Sequence, residues 1–306
     1  MYRFSSSLSK DKLEKKYKDI YIKAKLQDKW DNEVAKCSDL ASTIPTGKTP
    51  VDLLTMSYEE LVDVYLHYQS VYNGLPADRQ TALKEAAQRV FTYDSYKGPI
   101  SKFLGNKENG FKIYNCVYCD LVDARVLDNG KRQFKTEHIL DRGKCPLVGL
   151  SLYNFCPSCD FCNTNCKHSQ PIGNGALQMK KLGPTSKQYD FEHKVKFVLN
   201  KHSEALGRIK YDHLEWYDIR FAYKDDDYKE VVKLFELERR YNEKPNKLLA
   251  LEWREKAEKN KGISIAITAF LHGNTIEEER NRILHLNEYR EAHSLGLKLM
   301  EDMVNV

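Results

Sequence analysis

Cysteine spacing constrains this chain more than any other feature of its sequence. Seven of its eight cysteines fall between residues 116 and 167, where the sequence reads CVYC and, further on, NFCPSCDFCNTNCK. Two cysteines three positions apart can hold one tetrahedral zinc ion from a tight turn. Cys116 and Cys119 make the first such pair. The second half of the segment offers four thiols, which is more than one ion needs: Cys156, Cys159, Cys162 and Cys166.

Composition limits the class of protein. The chain has 306 residues, of which 41% are hydrophobic, enough for a real core. Cysteines grouped as metal pairs favour a reducing cytoplasm over a disulfide scaffold. No run of eighteen apolar residues predicts a membrane span, and the segment MYRFSSSLSKDKLEKK lacks the apolar stretch of a secretion signal.

Local patterns predict a small hairpin inside a largely helical chain. Asn129-Gly130 lies between apolar-rich runs and indicates a β-hairpin. Alternation from Phe134 puts His138 and Glu137 on opposite faces of a strand, so their joint action would require a bend at its end. A helix is expected after Pro157, and strands at 193–199, 207–211 and 216–221. Further helices are expected at 9–39, 57–72, 77–93, 101–104, 228–241, 246–260, 263–271, 276–286 and 288–303, with a linker at 96–99. Ser57 with Glu60, and Thr275 with Glu278, predict capping boxes for the helices at 57–72 and 276–286.

The sequence TEH, followed by NFCPSCDFCN and a lysine, resembles the HNH family of nucleases. The similarity covers roughly residues 111–170 and implies a ββα-metal core. Asn154 lies five residues before Cys159, and Asn163 directly follows Cys162, as in that family. The resemblance implies zinc ligation by Cys116, Cys119, Cys159 and Cys162, although the pairs Cys156 with Cys159 and Cys162 with Cys166 are rivals.

The resemblance also implies catalytic roles. His138 would be the general base that takes a proton from water. Glu137 and Asn163 would bind one catalytic Mg²⁺ or Mn²⁺, and Asn154 would bridge a loop and orient His138. Two departures from the family pattern are visible: Glu137 replaces the commoner Asp, and Lys167, an expected phosphate contact, lies four residues past Asn163 where three is usual.

A wider similarity links the chain to bacterial HNH proteins of anti-phage defence, of the Septu and retron-associated type. It rests on YKGPISKFLG, SLYNFCPSCDFCN and EYREAHSLGLKL. It implies cleavage of invading nucleic acid, with DNA expected in preference to RNA, and an ATPase partner subunit. No membrane partner is expected.

The expected fold class is therefore α+β, with a zinc-stapled ββα-metal core, a small antiparallel sheet and flanking helical regions. The predicted divisions are an N-terminal helical region at 1–95, the nuclease core with adjoining strands at 96–225, and a C-terminal helical region at 226–306. A zinc-knuckle adaptor that binds nucleic acid or protein without cutting it is the alternative function.

Overall fold

The computed structural model describes residues 1–127, 131–202, 209–259, 275, 277–278 and 296–304, and these form two compact units. The N-terminal unit comprises Tyr2–Tyr118 and Ala124–Asp190, and the C-terminal unit is built mainly from residue 191 onward. The divisions expected at 95/96 and 225/226 do not coincide with this boundary. The first helices share a unit with the cysteine-rich region, and the strands after residue 194 share a unit with the helices that follow them.

The N-terminal unit combines helices with a two-stranded antiparallel sheet. Its helices are α1 (Lys10–Lys18), α2 (Leu26–Lys36), α3 (Tyr58–Asn73), α4 (Ala77–Val90), α5 (Tyr93–Gly105) and α6 (Gly175–Leu182), and its strands are β1 (Lys135–His138) and β2 (Phe155–Ser158). A π-helix covers Phe161–Lys167. Short 3₁₀ helices cover Asp19–Ala24, Ser38–Thr43, Asp52–Leu54, Lys107–Asn109, Pro146–Val148 and Leu152–Asn154.

Helix α3 begins where the sequence predicts. Glu60 N donates to Ser57 Oγ at 3.4 Å, and Ser57 N donates to Glu60 Oε2 at 3.0 Å, which completes a capping box. These two bonds satisfy backbone donors that a helix start otherwise leaves without partners. The capping box predicted from Ser57 and Glu60 is therefore confirmed.

Two helix predictions in this unit are wrong. The single helix expected at 9–39 is divided at Lys25, whose φ of 48° is left-handed and cannot continue a right-handed helix. The linker expected at 96–99 is instead part of α5, although Pro99 lies inside that helix. Tyr93, Ile100 and Phe103 are buried along α5, and this burial offsets the backbone hydrogen bond that proline removes.

The β-strand Lys135–His138 forms, but with a partner that the sequence did not predict. β1 pairs antiparallel with β2, so that Glu137 lies opposite Cys156 and His138 opposite Phe155. The bridge Val126↔Arg132 flanks the expected Asn129-Gly130 turn, but residues 128–130 lie outside the described residues. The helix expected directly after Pro157 begins later, because β2 continues to Ser158.

The C-terminal unit contains a second antiparallel pair of strands. β3 (Val195–Lys201) pairs with β4 (Tyr217–Tyr223), as the sequence predicts for two of its three strands. In the third, expected at 207–211, residues 209–211 are not a strand, and residues 207–208 lie outside the described residues. The helices are α7 (Phe191–Lys194), α8 (Tyr228–Leu234), α9 (Leu237–Tyr241), α10 (Lys244–Lys259) and α11 (Leu297–Val304).

Helix breaks in this unit also have local causes. The helix expected at 228–241 is divided at Glu236, which has a φ of 50°. The helix expected at 263–271 lies outside the described residues, as do most of the helix expected at 276–286 and the first half of that expected at 288–303. Where the chain is described there, Thr275 and Glu278 make the expected capping bonds at 2.7 and 3.1 Å.

The architecture is thus α+β with small antiparallel sheets. Among the described residues, no helix is long and apolar enough to cross a membrane.

Candidate functional site

Four buried cysteines converge in the structure. The sulfur atoms of Cys116, Cys119, Cys159 and Cys162 all lie within 4.8 Å of one another. A tetrahedral zinc ion with Zn–S bonds of about 2.3 Å requires sulfur atoms about 3.8 Å apart. The cluster therefore needs only a small contraction to hold a structural metal such as zinc.

Local hydrogen bonds prepare this arrangement. Cys162 N lies 3.4 Å from Cys159 Sγ, so a backbone N–H points at a prospective ligand sulfur. Val117 N donates to Pro157 O at 3.2 Å, which fixes the first cysteine pair beside β2. Two segments that are distant in the sequence, residues 116–119 and 159–162, thus together supply four thiolates, the ligands that zinc prefers in structural sites.

The remaining cysteines of the segment are buried but stand apart from that cluster. Cys156 Sγ donates to Tyr118 Oη at 3.3 Å, and burial raises the pKa of the Cys145 and Cys156 thiols. Cys166 is buried as well. The rival second pairs, which would use Cys156 or Cys166, are therefore not the ones that meet Cys116 and Cys119.

His138 lies at the end of β1 on the face of the strand that α5 covers. Its ring centroid is 4.5 Å from that of Tyr93 and 4.8 Å from that of Phe155, both edge-to-face. Its Nε2 lies 3.0 Å from the carbonyl oxygen of Gly149. Because a carbonyl can only accept, Nε2 carries the proton and Nδ1 keeps its lone pair in the neutral ring.

Electrostatics favour the neutral form of this ring. Burial is the main cause that lowers the pKa of His138 to about 3, and the positive charge of Arg142 acts in the same direction. The Arg142 guanidinium itself lies 4.6 Å above the Tyr93 ring. His138 is consequently a neutral imidazole at neutral pH, with one nitrogen able to accept a proton.

Asn154 fastens the loop that follows β1. Its Oδ1 accepts from Leu140 N at 2.7 Å, and its Nδ2 donates to Leu140 O and Val148 O, each at 3.0 Å. The side chain is fully buried. Since this loop ends at Gly149, whose carbonyl binds His138, Asn154 holds the support of the histidine in place.

Glu137 lies on the opposite face of β1 and has a different partner. Its Oε1 is 2.8 Å from Lys167 Nζ, and that ammonium also donates to His138 O at 2.9 Å. The side chains of Lys167 and Glu137 are only 1% and 7% exposed. Burial raises the pKa of Glu137, and the charge of Lys167 opposes that rise. The Glu137 carboxylate and the His138 ring contact different neighbours, and the chain bends at residues 139 and 140, directly after β1, as expected for the end of this strand.

The π-helix positions Asn163 and Lys167. Asn163 uses its backbone for hydrogen bonds, donating to Cys159 O and accepting from His168 N, and its side chain is half-buried. The burial of Lys167 contradicts the expected phosphate contact, because its ammonium is enclosed and engaged by Glu137. His168, the next residue along, is exposed beside Ser169.

Sequence reasoning missed three residues that surround the histidine. Tyr93 contacts the His138 ring edge-to-face, and the Arg142 guanidinium lies over the Tyr93 ring. Gly149 supplies the carbonyl oxygen that accepts a hydrogen bond from His138. None belongs to a motif, and only the tertiary fold brings Tyr93 to β1.

Comparison of the chain with known proteins gives no family assignment. Neither the protein-family models, nor the curated proteins, nor the solved structures give a match to this chain.

Proposed function

We propose that this protein is an HNH-type endonuclease that hydrolyses phosphodiester bonds. The observation that carries the proposal is the state of His138, a neutral ring whose Nε2 is anchored by Gly149 O. Its Nδ1 is then the proton acceptor for an attacking water molecule. An anionic phosphate placed beside the ring would raise its pKa and strengthen it as a base.

Each neighbouring residue has a part in this mechanism. Asn154 keeps the 140–149 loop in place, so that the carbonyl of Gly149 selects one tautomer of His138. Tyr93 and Phe155 restrict rotation of the ring by contacting it from two sides. The four-cysteine cage, with zinc bound, fixes the π-helix relative to β2.

A divalent ion completes the proposed site. The oxygen donors of Glu137 and Asn163 suit hard Mg²⁺ or Mn²⁺, although the ammonium of Lys167 already occupies one oxygen of the carboxylate. The ion, when bound, would neutralise charge on the phosphate and the leaving oxygen.

The substrate and partner follow from the resemblance. We infer DNA as the substrate and an ATPase as a partner subunit in anti-phage defence. A modest basic excess supports nucleic acid, since residues 96–168 contain eleven Lys and Arg against seven Asp and Glu.

Cleavage of plasmid DNA and of a matched RNA with Mg²⁺ or Mn²⁺, and with EDTA as a control, tests this function. His138→Ala is expected to abolish cleavage while zinc content and folding stay intact. His168→Ala is the matched control, because that histidine is exposed beside Ser169, and it should retain cleavage. Undiminished cleavage by His138→Ala would refute the role of the base. Binding of DNA without cleavage, with and without the ATPase, would instead favour the adaptor function.

A further inference from the structure

The ion pair of Lys167 and Glu137 is the most enclosed charged contact at the candidate site. Lys167 Nζ lies 2.8 Å from Glu137 Oε1 and 2.9 Å from His138 O, and both side chains are more than nine-tenths buried. A buried ammonium is stable only when acceptors replace its lost hydration. Glu137 supplies the compensating charge and the carbonyl supplies a second acceptor.

This pair conflicts with a divalent ion on the same carboxylate. An ion held by Glu137 would lie within a few ångströms of the Lys167 ammonium, in a region where burial weakens screening by solvent. The two cations would repel one another, and the single charge of Glu137 cannot neutralise both. Ion binding and the Lys167–Glu137 contact therefore oppose each other.

We propose that Lys167 controls the access of divalent cations to Glu137, holding the carboxylate as an internal counter-ion until a cation displaces its ammonium. This inference deepens the proposed function, since it rests on Glu137 as a ligand of the catalytic ion. Lys167 is thereby a positioning residue that sets cation affinity. It fixes Glu137 in the cation-free protein and keeps the end of β1 in place through His138 O.

The proposal is tested by titrating the zinc-loaded full chain with Mn²⁺. The electron paramagnetic resonance signal of free Mn²⁺ measures how much of the ion is bound. Lys167→Met removes the competing charge and should bind Mn²⁺ at least tenfold more tightly than the wild type. Lys167→Arg keeps the charge and should bind Mn²⁺ as weakly as the wild type. The double variant Glu137→Gln, Lys167→Met should lose the gain. Equal or weaker binding by Lys167→Met overturns the proposal, as does a gain that survives in the double variant.

A measurement on the wild type covers the case in which Lys167→Met fails to fold. With ¹⁵N-labelled lysine, the buried Lys167 ammonium should give a protected NMR signal, and Mg²⁺ addition should shift or release it. A Lys167 signal unchanged throughout the Mg²⁺ titration overturns the proposal.

These experiments distinguish a failure of the inference about Lys167 from a failure of the proposed nuclease function. If the wild type cuts DNA through His138 but Lys167→Met shows no gain in Mn²⁺ affinity, only the control by Lys167 fails. If Lys167→Met gains affinity through Glu137 but no form of the protein cuts nucleic acid, the control stands and the nuclease proposal fails.

Discussion

Replacing Asn154 with alanine should destabilise the N-terminal unit more than any ordinary polar substitution. The change removes three side-chain hydrogen bonds at once, to Leu140 N, Leu140 O and Val148 O. All three backbone groups lose a partner at a site where Asn154 is fully buried. Each unsatisfied buried group costs about 1–3 kcal/mol, so the three together predict a loss of about 3–9 kcal/mol in the free energy of unfolding, the lower end applying if water enters the vacated space.

The effect should be local before it is global. Amide hydrogen exchange measured by mass spectrometry should show loss of protection at Leu140 and along the 140–148 loop, because Asn154 is what fastens that loop. Urea unfolding followed by tryptophan fluorescence gives the free energy, with Trp30 reporting on this unit and Trp216 and Trp253 on the C-terminal unit.

Asn109→Ala is the matched control in the same unit. Asn109 is also buried, but its Nδ2 donates to one backbone group, Phe103 O, and its Oδ1 accepts from Lys16, whose ammonium can return to water. It should cost about 1–2 kcal/mol and leave exchange at Leu140 unchanged. A loss below about 1 kcal/mol for Asn154→Ala, or equal exchange at Leu140 in the two variants, would refute the reasoning.

Two further changes test the metal centre and the packing of this unit. The purified chain should release about one zinc ion on treatment with a mercurial and a chromogenic chelator; Cys162→Ser should abolish this release, whereas Cys166→Ala should retain it, and the reverse pattern would contradict the four-cysteine cage. Gly183→Ala would place a Cβ 2.2 Å from the buried Tyr58 ring and should lower stability by at least about 2 kcal/mol. Gly74→Ala, at the end of α3, would meet only ordinary contacts at 3.5 Å and should change stability by no more than about 1 kcal/mol, so equal effects of these two glycine changes in thermal unfolding would argue against the packing.

Local signals identified the parts of the site that depend on spacing. The CVYC pair and the pair at Cys159 and Cys162 meet as the family resemblance implies, because short cysteine spacings encode a turn and a ligand pair together. The capping boxes at Ser57 and Thr275 could also be predicted from the sequence, because each depends on two residues three positions apart.

Contacts between segments that are distant in the chain could not be predicted from the sequence. β1 pairs with β2 from a segment nearly twenty positions further on, whereas the turn signal at Asn129-Gly130 pointed to a nearer partner. Tyr93 reaches His138 only because α5 lies against β1, where Ser101 also contacts Thr136. Left-handed residues such as Lys25 and Glu236 divided two predicted helices, and neither residue type announces that conformation.

The π-helix explains why the sequence predicted a phosphate contact for Lys167, whereas the structure buries its ammonium against Glu137. His168 N bonds to Asn163 O at 2.8 Å, a five-residue turn that amounts to an α-helix with one residue inserted. The fourth residue after Asn163 therefore occupies nearly the place on the helix that the third would take. In a regular α-helix each residue turns the side chain by about 100°, so the extra residue would direct Lys167 away from β1. With the insertion absorbed, its ammonium reaches Glu137 and is enclosed there. The wider turn between Asn163 and His168 thus accounts for the direction of Lys167 and for its buried ion pair.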